Sequence, residues 1–178
     1  MNPSSSWFAL QTRPKREKSV AAALESKGYE SFYPIYRERR RWSDRCVDVE
    51  RPLFPGYVFC RLTNVSFGKV LLTAGVTRML GFGPTPAEIP TAQIEPLQRV
   101  HESCAGRAPW SYLATGTRVR IESGPLSGVE GIYSADSDHR RLILSVDLLQ
   151  RSVAVTIDPQ VAIRVITPIQ SAASANAR

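Results

Sequence analysis

The sequence has few of the residues that build metal and redox sites. Among its 178 residues are three cysteines and two histidines. The cysteines, Cys46, Cys60 and Cys104, lie far apart and form no CxxC pair. A structural zinc site needs about four nitrogen or sulfur ligands at close spacing, so we expect neither a metal nor another cofactor. Reduced thiols of this kind favour a cytoplasmic protein.

Long apolar segments are missing as well. No run approaches the roughly 20 residues that span a bilayer. The first ten residues lack the basic and apolar regions of a signal peptide. We therefore expect a protein that has no contact with membranes.

The motifs of common enzyme classes are also missing. The sequence contains neither the phosphate-binding GxxxxGK[ST] nor the nucleophile motif GxSxG. Asp136, Asp138 and His139 lie close together and could suggest a metal site. Asp and Ser favour turns, however, and a turn between two strands explains this group better. We expect a protein that is not an enzyme.

Positive charge is plentiful and unevenly distributed. The net charge is +7, and residues 1–100 hold 15 Lys and Arg against 9 Asp and Glu. Residues 101–178 hold 8 against 7. A basic first half indicates a polyanionic partner, most often nucleic acid. The alternative is that the charge serves solubility alone.

Residues 1–102 are expected to form an α+β domain, an antiparallel sheet with packed helices. The predicted strands are 7–12, 31–37, a returning strand around 47–49, 53–62 and 76–82. The predicted helices begin near Pro14, at residue 64 and at residue 91. Gly28 suits the end of the first helix because it accepts the left-handed conformation. Residues 37–50 are expected to form a long basic hairpin.

The pattern changes after residue 102. Residues 103–115 lose periodicity, so we predict a linker, flexible through Gly106 and Pro109 or docked through Trp110, Tyr112 and Leu113. Five short segments with alternating β-branched residues then predict a small all-β barrel over residues 116–167. Residues 168–178 are expected to be a disordered tail.

Glycines in the second half carry a recognisable motif. Gly124 and Pro125 follow a predicted strand, and Gly128 and Gly131 follow at short spacing. This stretch resembles the KOW motif. Together with PLFPGYVF and AGVTRMLGFG upstream, it makes residues 7–166 resemble the NusG family. The basic hairpin is closer to its specialised paralogues of the RfaH and UpxY types.

The resemblance implies a function without catalysis. An NGN domain would bind RNA polymerase, bridge the cleft that holds DNA near the transcription bubble, and suppress pausing or termination. We expect a monomer. The rival interpretation is a KOW protein that binds RNA or the ribosome and has no role at polymerase.

The stretch LFPGYVFC concentrates the aromatic candidates. Tyr57 and Phe59 point to one face of a strand, with Phe54 beside them, while Val58 and Cys60 point to the other face. From the residues alone, the rings are equally well core or partner surface. The resemblance implies that Phe54, Tyr57, Phe59 and, on the first strand, Gln11 bind polymerase. We predict that this patch is open in the free protein.

The resemblance assigns two further regions. Ser66, Phe67 and Gly68 occupy the position of a second polymerase contact, whose polar motif is not preserved. In the C-terminal module the partner loop corresponds to Leu126, Leu148, Leu149 and Arg151, which would contact the ribosome or Rho.

The densest basic cluster lies on the predicted hairpin. Alternate arginines can follow a phosphate backbone, and a tryptophan can stack on an exposed base. The alternative is a solvated hairpin whose tryptophan folds back on the sheet. The candidate nucleic-acid-binding residues are Arg37, Arg39, Arg40, Arg41, Trp42 and Arg45.

Overall fold

The computed structural model describes residues 5–41, 46–62, 67–103, 105–110, 116–135 and 139–167. For residues 39–41 and 167 it describes the backbone alone. The strands before residue 103 are β1 (Ser6–Thr12), β2 (Glu30–Phe32), β3 (Ile35–Arg41), β4 (Cys46–Pro52), β5 (Tyr57–Leu62), β6 (Val76–Met79), β7 (Gly81–Phe82), β8 (Thr85–Pro86) and β9 (Glu88–Ile89). The helices are α1 (Glu17–Ser26), α2 (Phe67–Leu71) and α3 (Thr91–Glu102).

The N-terminal sheet is built around β1, whose apolar sequence WFAL is buried on both faces. The strand order is β2-β5-β1-β6, with β9 also paired to β1, and these pairings are antiparallel. On one face, Val58 and Cys60 pack with Val20 and Leu24 of α1. The prediction that these two strand residues lie under a helix is confirmed.

Helix α1 begins later than predicted. Pro14 and Lys15 form a turn before the helix, and Lys15 has a φ of +62°. The helix therefore starts at Glu17, and the proline lies outside its first turn. Gly28 ends the region with a φ of +82°, as its position predicts.

The other face of the N-terminal sheet is covered by α3 and by the second half of the chain. Ile94, Leu97 and Val100 recur at helical spacing on α3 and are fully buried. They belong to one apolar cluster with Trp7 and Phe59 of the sheet and with residues of the C-terminal strands. The two halves of the chain thus share a core.

The C-terminal sheet has six strands and only antiparallel pairings. Its order is β10-β14-β13-β12-β11-β15, and β10 and β15 are not paired with each other within the described residues. The five predicted strands are present, and the chain has the expected mixed α and β structure, but this sheet is open rather than a closed barrel. The strands are β10 (Arg107–Trp110), β11 (Arg118–Ile121), β12 (Glu130–Ala135), β13 (Arg140–Val146), β14 (Arg151–Ile157) and β15 (Ile163–Thr167).

Strand β10 lies inside the predicted linker, which corrects that prediction for residues 107–110. It pairs with β14, from Arg107 opposite Val155 to Trp110 opposite Ser152. The guanidinium carbon of Arg141 lies 5.0 Å from the centre of the Trp110 ring, within cation–π range. This part of the connection is docked. Residues 104 and 111–115 and the predicted tail lie outside the described residues.

None of the helices in the described ranges is both long enough and apolar enough to cross a membrane.

Candidate functional site

A tight turn between β4 and β5 carries the predicted docking residues. Gly56 has a φ of +84°, which glycine adopts far more readily than other residues. Its carbonyl oxygen accepts a hydrogen bond from the Thr12 N–H at 2.9 Å, and its own N–H donates to Oε1 of Glu17 at 2.8 Å. The turn is thus held at both polar groups of Gly56, which fixes the positions of Phe54 before it and Tyr57 after it.

The rings of Phe54 and Phe59 are buried, so the prediction of an open aromatic patch is wrong for these two residues. Their exposed fractions are 1% and 0%. The two ring centres lie 5.3 Å apart in a T-shaped arrangement, and the Phe32 ring lies 6.1 Å from that of Phe59. Strand alternation fixed the face on which Phe59 lies, but it contains no information about what covers that face.

Tyr57 is half-buried and is covered by a residue of the C-terminal sheet. The guanidinium carbon of Arg151 lies 5.4 Å from the centre of the Tyr57 ring, within the range of a cation–π interaction. Nη1 of Arg151 also donates to the carbonyl oxygen of Pro55 at 3.2 Å. Arg151, which the sequence assigns to a partner loop, therefore contacts the predicted polymerase-binding turn.

Gln11 lies directly opposite Tyr57 in the register of β1 and β5. Its Oε1 accepts a hydrogen bond from Nε of Arg78 at 2.6 Å. Both Gln11 and Tyr57 are half-buried, whereas Phe54 and Phe59 are covered. The structure thus brings the four predicted residues together and leaves the two polar ones at the rim.

Polar contacts hold α3 against the C-terminal sheet. Nε2 of Gln93 donates to Oδ2 of Asp147 at 2.7 Å, and the Asp147 N–H donates to Oε1 of Gln93 at 3.2 Å. Nη2 of Arg99 donates to the carbonyl oxygen of Ser127. Together with Arg151, these contacts close the C-terminal sheet over the aromatic turn, contrary to the predicted open state.

The other residues of the predicted partner loop also point inward. Leu126 is buried, and Leu148 and Leu149 are half-buried against the same apolar cluster. Their side chains contribute to the shared core in this arrangement.

The backbone geometry explains why glycine occupies three positions of the KOW-like motif. Gly124 and Gly128, on either side of the turn that contains Pro125, have φ values of +82° and +84°. A Cβ atom at Gly131 would lie 2.7 Å from the carbonyl oxygen of Ile143 on the neighbouring strand β13. The motif thus allows a left-handed turn and a close approach between strands.

Strands β3 and β4 form the predicted basic hairpin, but its charge is more mixed than the arginines suggest. In the register, Arg37 lies opposite Glu50 and Arg39 opposite Asp48. Nε of Arg51 pairs with Oε2 of Glu38 at 2.7 Å. Trp42 and Arg45 lie outside the described residues, as do the side chains of Arg39, Arg40 and Arg41.

The predicted second polymerase contact is partly core. The Phe67 ring is half-buried and packs edge-on against Phe8, with the ring centres 5.0 Å apart. Gly68 is exposed on α2, and Ser66 lies outside the described residues. Phe67 therefore has a packing role, which agrees with its helical spacing to Val70 and Leu71 in the sequence.

Arg107 is a contact residue that the sequence analysis missed. Its Nε donates to the carbonyl oxygen of Ile35 at the base of the hairpin, at 2.8 Å. Its Nη1 donates to the carbonyl oxygens of Val100 and Ser103 at 3.0 and 3.2 Å. One arginine on β10 thereby joins the hairpin to the end of α3, and no local pattern around it marks this role.

Two titratable groups are shifted by burial. Burial, with a smaller contribution from Glu30, raises the pKa of the Cys60 thiol to about 12, which makes it a poor nucleophile. Burial and then the charge of Arg107 lower the pKa of His101, which favours a neutral imidazole. Within the described part of the chain, no group of three or more His, Cys, Asp or Glu side chains could hold a metal ion.

Comparison with protein-family models shows which family the chain belongs to. The family model described as transcription termination factor nusG matches residues 5–98. The chain belongs to the NusG family. The matched range includes the hairpin, the aromatic turn and most of α3, and the predicted family is confirmed.

Curated relatives extend the similarity over most of the chain. The transcription termination/antitermination protein NusG of Helicobacter pylori is 26% identical over 164 residues, which cover 85% of this chain and 93% of the relative. That of Chlamydia pneumoniae is 28% identical over 162 residues, covering 84% and 88%. A solved structure of Thermotoga maritima NusG is 20% identical and covers 92% of this chain and 98% of that one, with a TM-score of 0.49. The relatives by sequence are thus transcription termination and antitermination factors.

Proposed function

We propose that this protein is a non-catalytic transcription elongation and antitermination factor that binds RNA polymerase and suppresses pausing or termination. Residues 1–102 would be the NGN domain and residues 116–167 the KOW module. The docking face would consist of Phe54, Tyr57, Phe59 and Gln11. Membership of the NusG family supports the class of function, and the convergence of these four residues on one face supports the site.

The observation that carries this proposal is the difference in exposure between the polar and the apolar residues of the docking face. Tyr57 and Gln11 lie at a half-exposed rim, while Phe54 and Phe59 form a buried apolar cluster behind it. Hot spots of protein interfaces are often aromatic residues that a ring of surrounding contacts shields from water in the complex. Because the C-terminal sheet covers this cluster, full docking on polymerase requires the sheet to move away.

Other parts of the chain would contact further partners. The hairpin, which resembles that of the specialised RfaH and UpxY types, would bind DNA near the transcription bubble through Arg37, Arg39, Arg40, Arg41, Trp42 and Arg45. The loop with Leu126, Leu148, Leu149 and Arg151 would reach the ribosome or Rho once it is released from the shared core. Phe67 and Gly68 would form a second polymerase contact. We further propose a cytoplasmic monomer.

Replacement of Tyr57 by Ala tests the docking face. Tyr57 is half-buried at the rim, so the variant should fold, and truncation of an interface anchor typically costs about 2 kcal/mol or more of binding free energy. We expect its affinity for purified RNA polymerase to fall by roughly thirtyfold. Phe82→Ala is the matched control, since Phe82 is 80% exposed on the β7–β8 hairpin.

Wild-type protein that does not bind polymerase but binds RNA or ribosomes would favour the rival interpretation. Equal affinities of Tyr57→Ala and wild type would remove this tyrosine from the docking face.

The DNA contact is tested by the salt dependence of binding. The triple replacement of Arg39, Arg40 and Arg41 by Ala should flatten the plot of log affinity for duplex DNA against log salt concentration. The expected change is about 0.9 in slope for each phosphate that the hairpin no longer neutralises. The matched control replaces Arg118, Arg120 and Arg164, three partly exposed arginines of the C-terminal sheet, by Ala. An unchanged slope in the hairpin variant would leave the solvated hairpin as the correct interpretation.

A further inference from the structure

Glu17 is the buried acidic residue of the described chain, with an exposed fraction of 6%. It lies in the first turn of α1, where the helix dipole favours a negative charge. Burial of a carboxylate is costly unless hydrogen bonds compensate for the removal of water. Its chain neighbours Arg16 and Lys18 are exposed, so Glu17 is the one residue of the three whose side chain is buried.

The compensating hydrogen bond comes from a distant part of the chain. Oε1 of Glu17 accepts the N–H of Gly56 at 2.8 Å, across 39 residues of sequence. Because the carbonyl of Gly56 is held by Thr12, removal of the Glu17 carboxylate would leave Gly56 itself attached through its carbonyl only. The Gly56 N–H is part-buried and the loss of its acceptor is unfavourable, so the turn would rearrange rather than stay in place.

The surroundings of the turn depend on that conformation. Gly56 follows Pro55, whose carbonyl oxygen binds Arg151, and precedes Tyr57, whose ring Arg151 covers. A rotation of the Pro55–Gly56 peptide would move this carbonyl and change the direction in which Tyr57 leaves the turn. The side chain of Glu17 thus controls both the rim tyrosine and the acceptor that the C-terminal sheet uses.

We propose that Glu17 is the positioning residue of the docking face: its carboxylate fixes the Pro55–Gly56 turn in the conformation that presents Tyr57 to polymerase. This inference rests on the proposed function. Glu17 need not touch polymerase, because it acts through the Gly56 N–H.

The test compares three substitutions at residue 17 in the full-length protein. Glu17→Ala removes the acceptor, Glu17→Asp keeps the charge but is one methylene shorter, and Glu17→Gln keeps an oxygen acceptor at the same length without the charge. Glu25→Ala is the control, since Glu25 is an exposed glutamate of the same helix. Misplacement of Tyr57 lowers the affinity for polymerase, whereas a weaker Arg151 contact opens the docking face and raises it by a smaller factor. We therefore expect the Ala and Asp variants to show a net loss of about tenfold in affinity for purified RNA polymerase, while Gln stays within about threefold of wild type.

Amide hydrogen exchange distinguishes local loosening of the turn from a general loss of stability. In the Ala and Asp variants, exchange of the Gly56 and Tyr57 amides should accelerate, while the amides of β1 and the rest of β5 keep their protection. If Glu17→Ala does not fold, the comparison of Asp with Gln still decides the matter.

Several results would overturn the proposal. The proposal is wrong if Glu17→Asp binds polymerase with wild-type affinity. It is also wrong if Glu17→Gln binds polymerase as weakly as Glu17→Asp. If Tyr57→Ala binds polymerase like the wild type, the proposed docking face fails and this inference fails with it. If Tyr57→Ala loses affinity but the Ala and Asp variants at residue 17 do not, the inference about Glu17 alone is wrong.

Discussion

Full-length protein with Asp147→Ala and Arg151→Ala is expected to bind RNA polymerase about tenfold more tightly than the wild type. The two substitutions remove the hydrogen bond from Gln93 to the Asp147 carboxylate, the hydrogen bond to Pro55 and the cation on the Tyr57 ring, and they leave the hydrogen bond from the Asp147 N–H to Gln93 in place. Each of these contacts is worth about 0.5–1.5 kcal/mol. Apparent affinity rises with the fraction of molecules whose docking face is open, so weaker closure should strengthen binding.

The size of this effect is limited by the contacts that remain. The apolar cluster that joins α3 to the C-terminal sheet is left intact, which is why we expect about tenfold rather than the full sum of the polar contacts. Asp158→Ala is the control, since Asp158 is an exposed aspartate that accepts a local hydrogen bond from the Gln160 N–H. Faster amide exchange at residues 53–57 in the double variant would show that the sheet has opened. Opening without any gain in affinity would refute the idea that the sheet masks the docking face.

The C-terminal sheet shows how much alternation alone can predict. Val119 and Ile121 on β11 alternate with arginines, and Val153 and Val155 on β14 are separated by the small residue Ala154. All four β-branched side chains are buried as expected. β-branched residues fit a pleated, half-buried surface, so the strands were predictable without any tertiary contact. Strand β10 was not, because Pro109 and the nearby glycine match a linker as well as they match an edge strand.

The aromatic turn shows where local pattern stops being informative. The period of two assigned Tyr57 and Phe59 to the face opposite Val58, and this is correct. Whether that face is exposed to solvent depends on how the C-terminal sheet, which begins at Arg107, packs against α3. Those contacts involve single polar side chains such as Gln93 and Arg151, which no periodicity marks.

For the basic hairpin, local pattern was similarly incomplete about charge. The run of arginines in β3 was visible in the sequence, but the acids of β4 became relevant only once the register placed Glu50 opposite Arg37. Cross-strand pairs of opposite charge stabilise a hairpin and reduce the charge it offers to a partner. The sequence therefore predicted the element, and the register adds acidic residues opposite Arg37 and Arg39.

Replacement of Phe59 by Ala is expected to lower the free energy of unfolding by about 3–5 kcal/mol, the usual cost of truncating a fully buried phenylalanine. Its ring has an exposed fraction of 0% and packs between Phe54 and Phe32. Since small domains are stable by only about 5–15 kcal/mol, much of the population could unfold at modest urea concentration. Leu72→Ala is the control, because Leu72 is 84% exposed and should change stability by less than about 0.5 kcal/mol.

Urea denaturation followed by circular dichroism measures both variants under the same conditions. A decrease below about 1 kcal/mol for Phe59→Ala would mean that the ring is not a core residue and that the face is open in solution, as we predicted with the help of the family resemblance. A decrease in the expected range has a direct consequence for binding experiments. Weaker polymerase binding by a Phe59 variant would then reflect unfolding as much as the absence of the ring from the interface. Replacement of Tyr57, which lies at the half-buried rim, affects binding without this loss of stability and so separates the two effects.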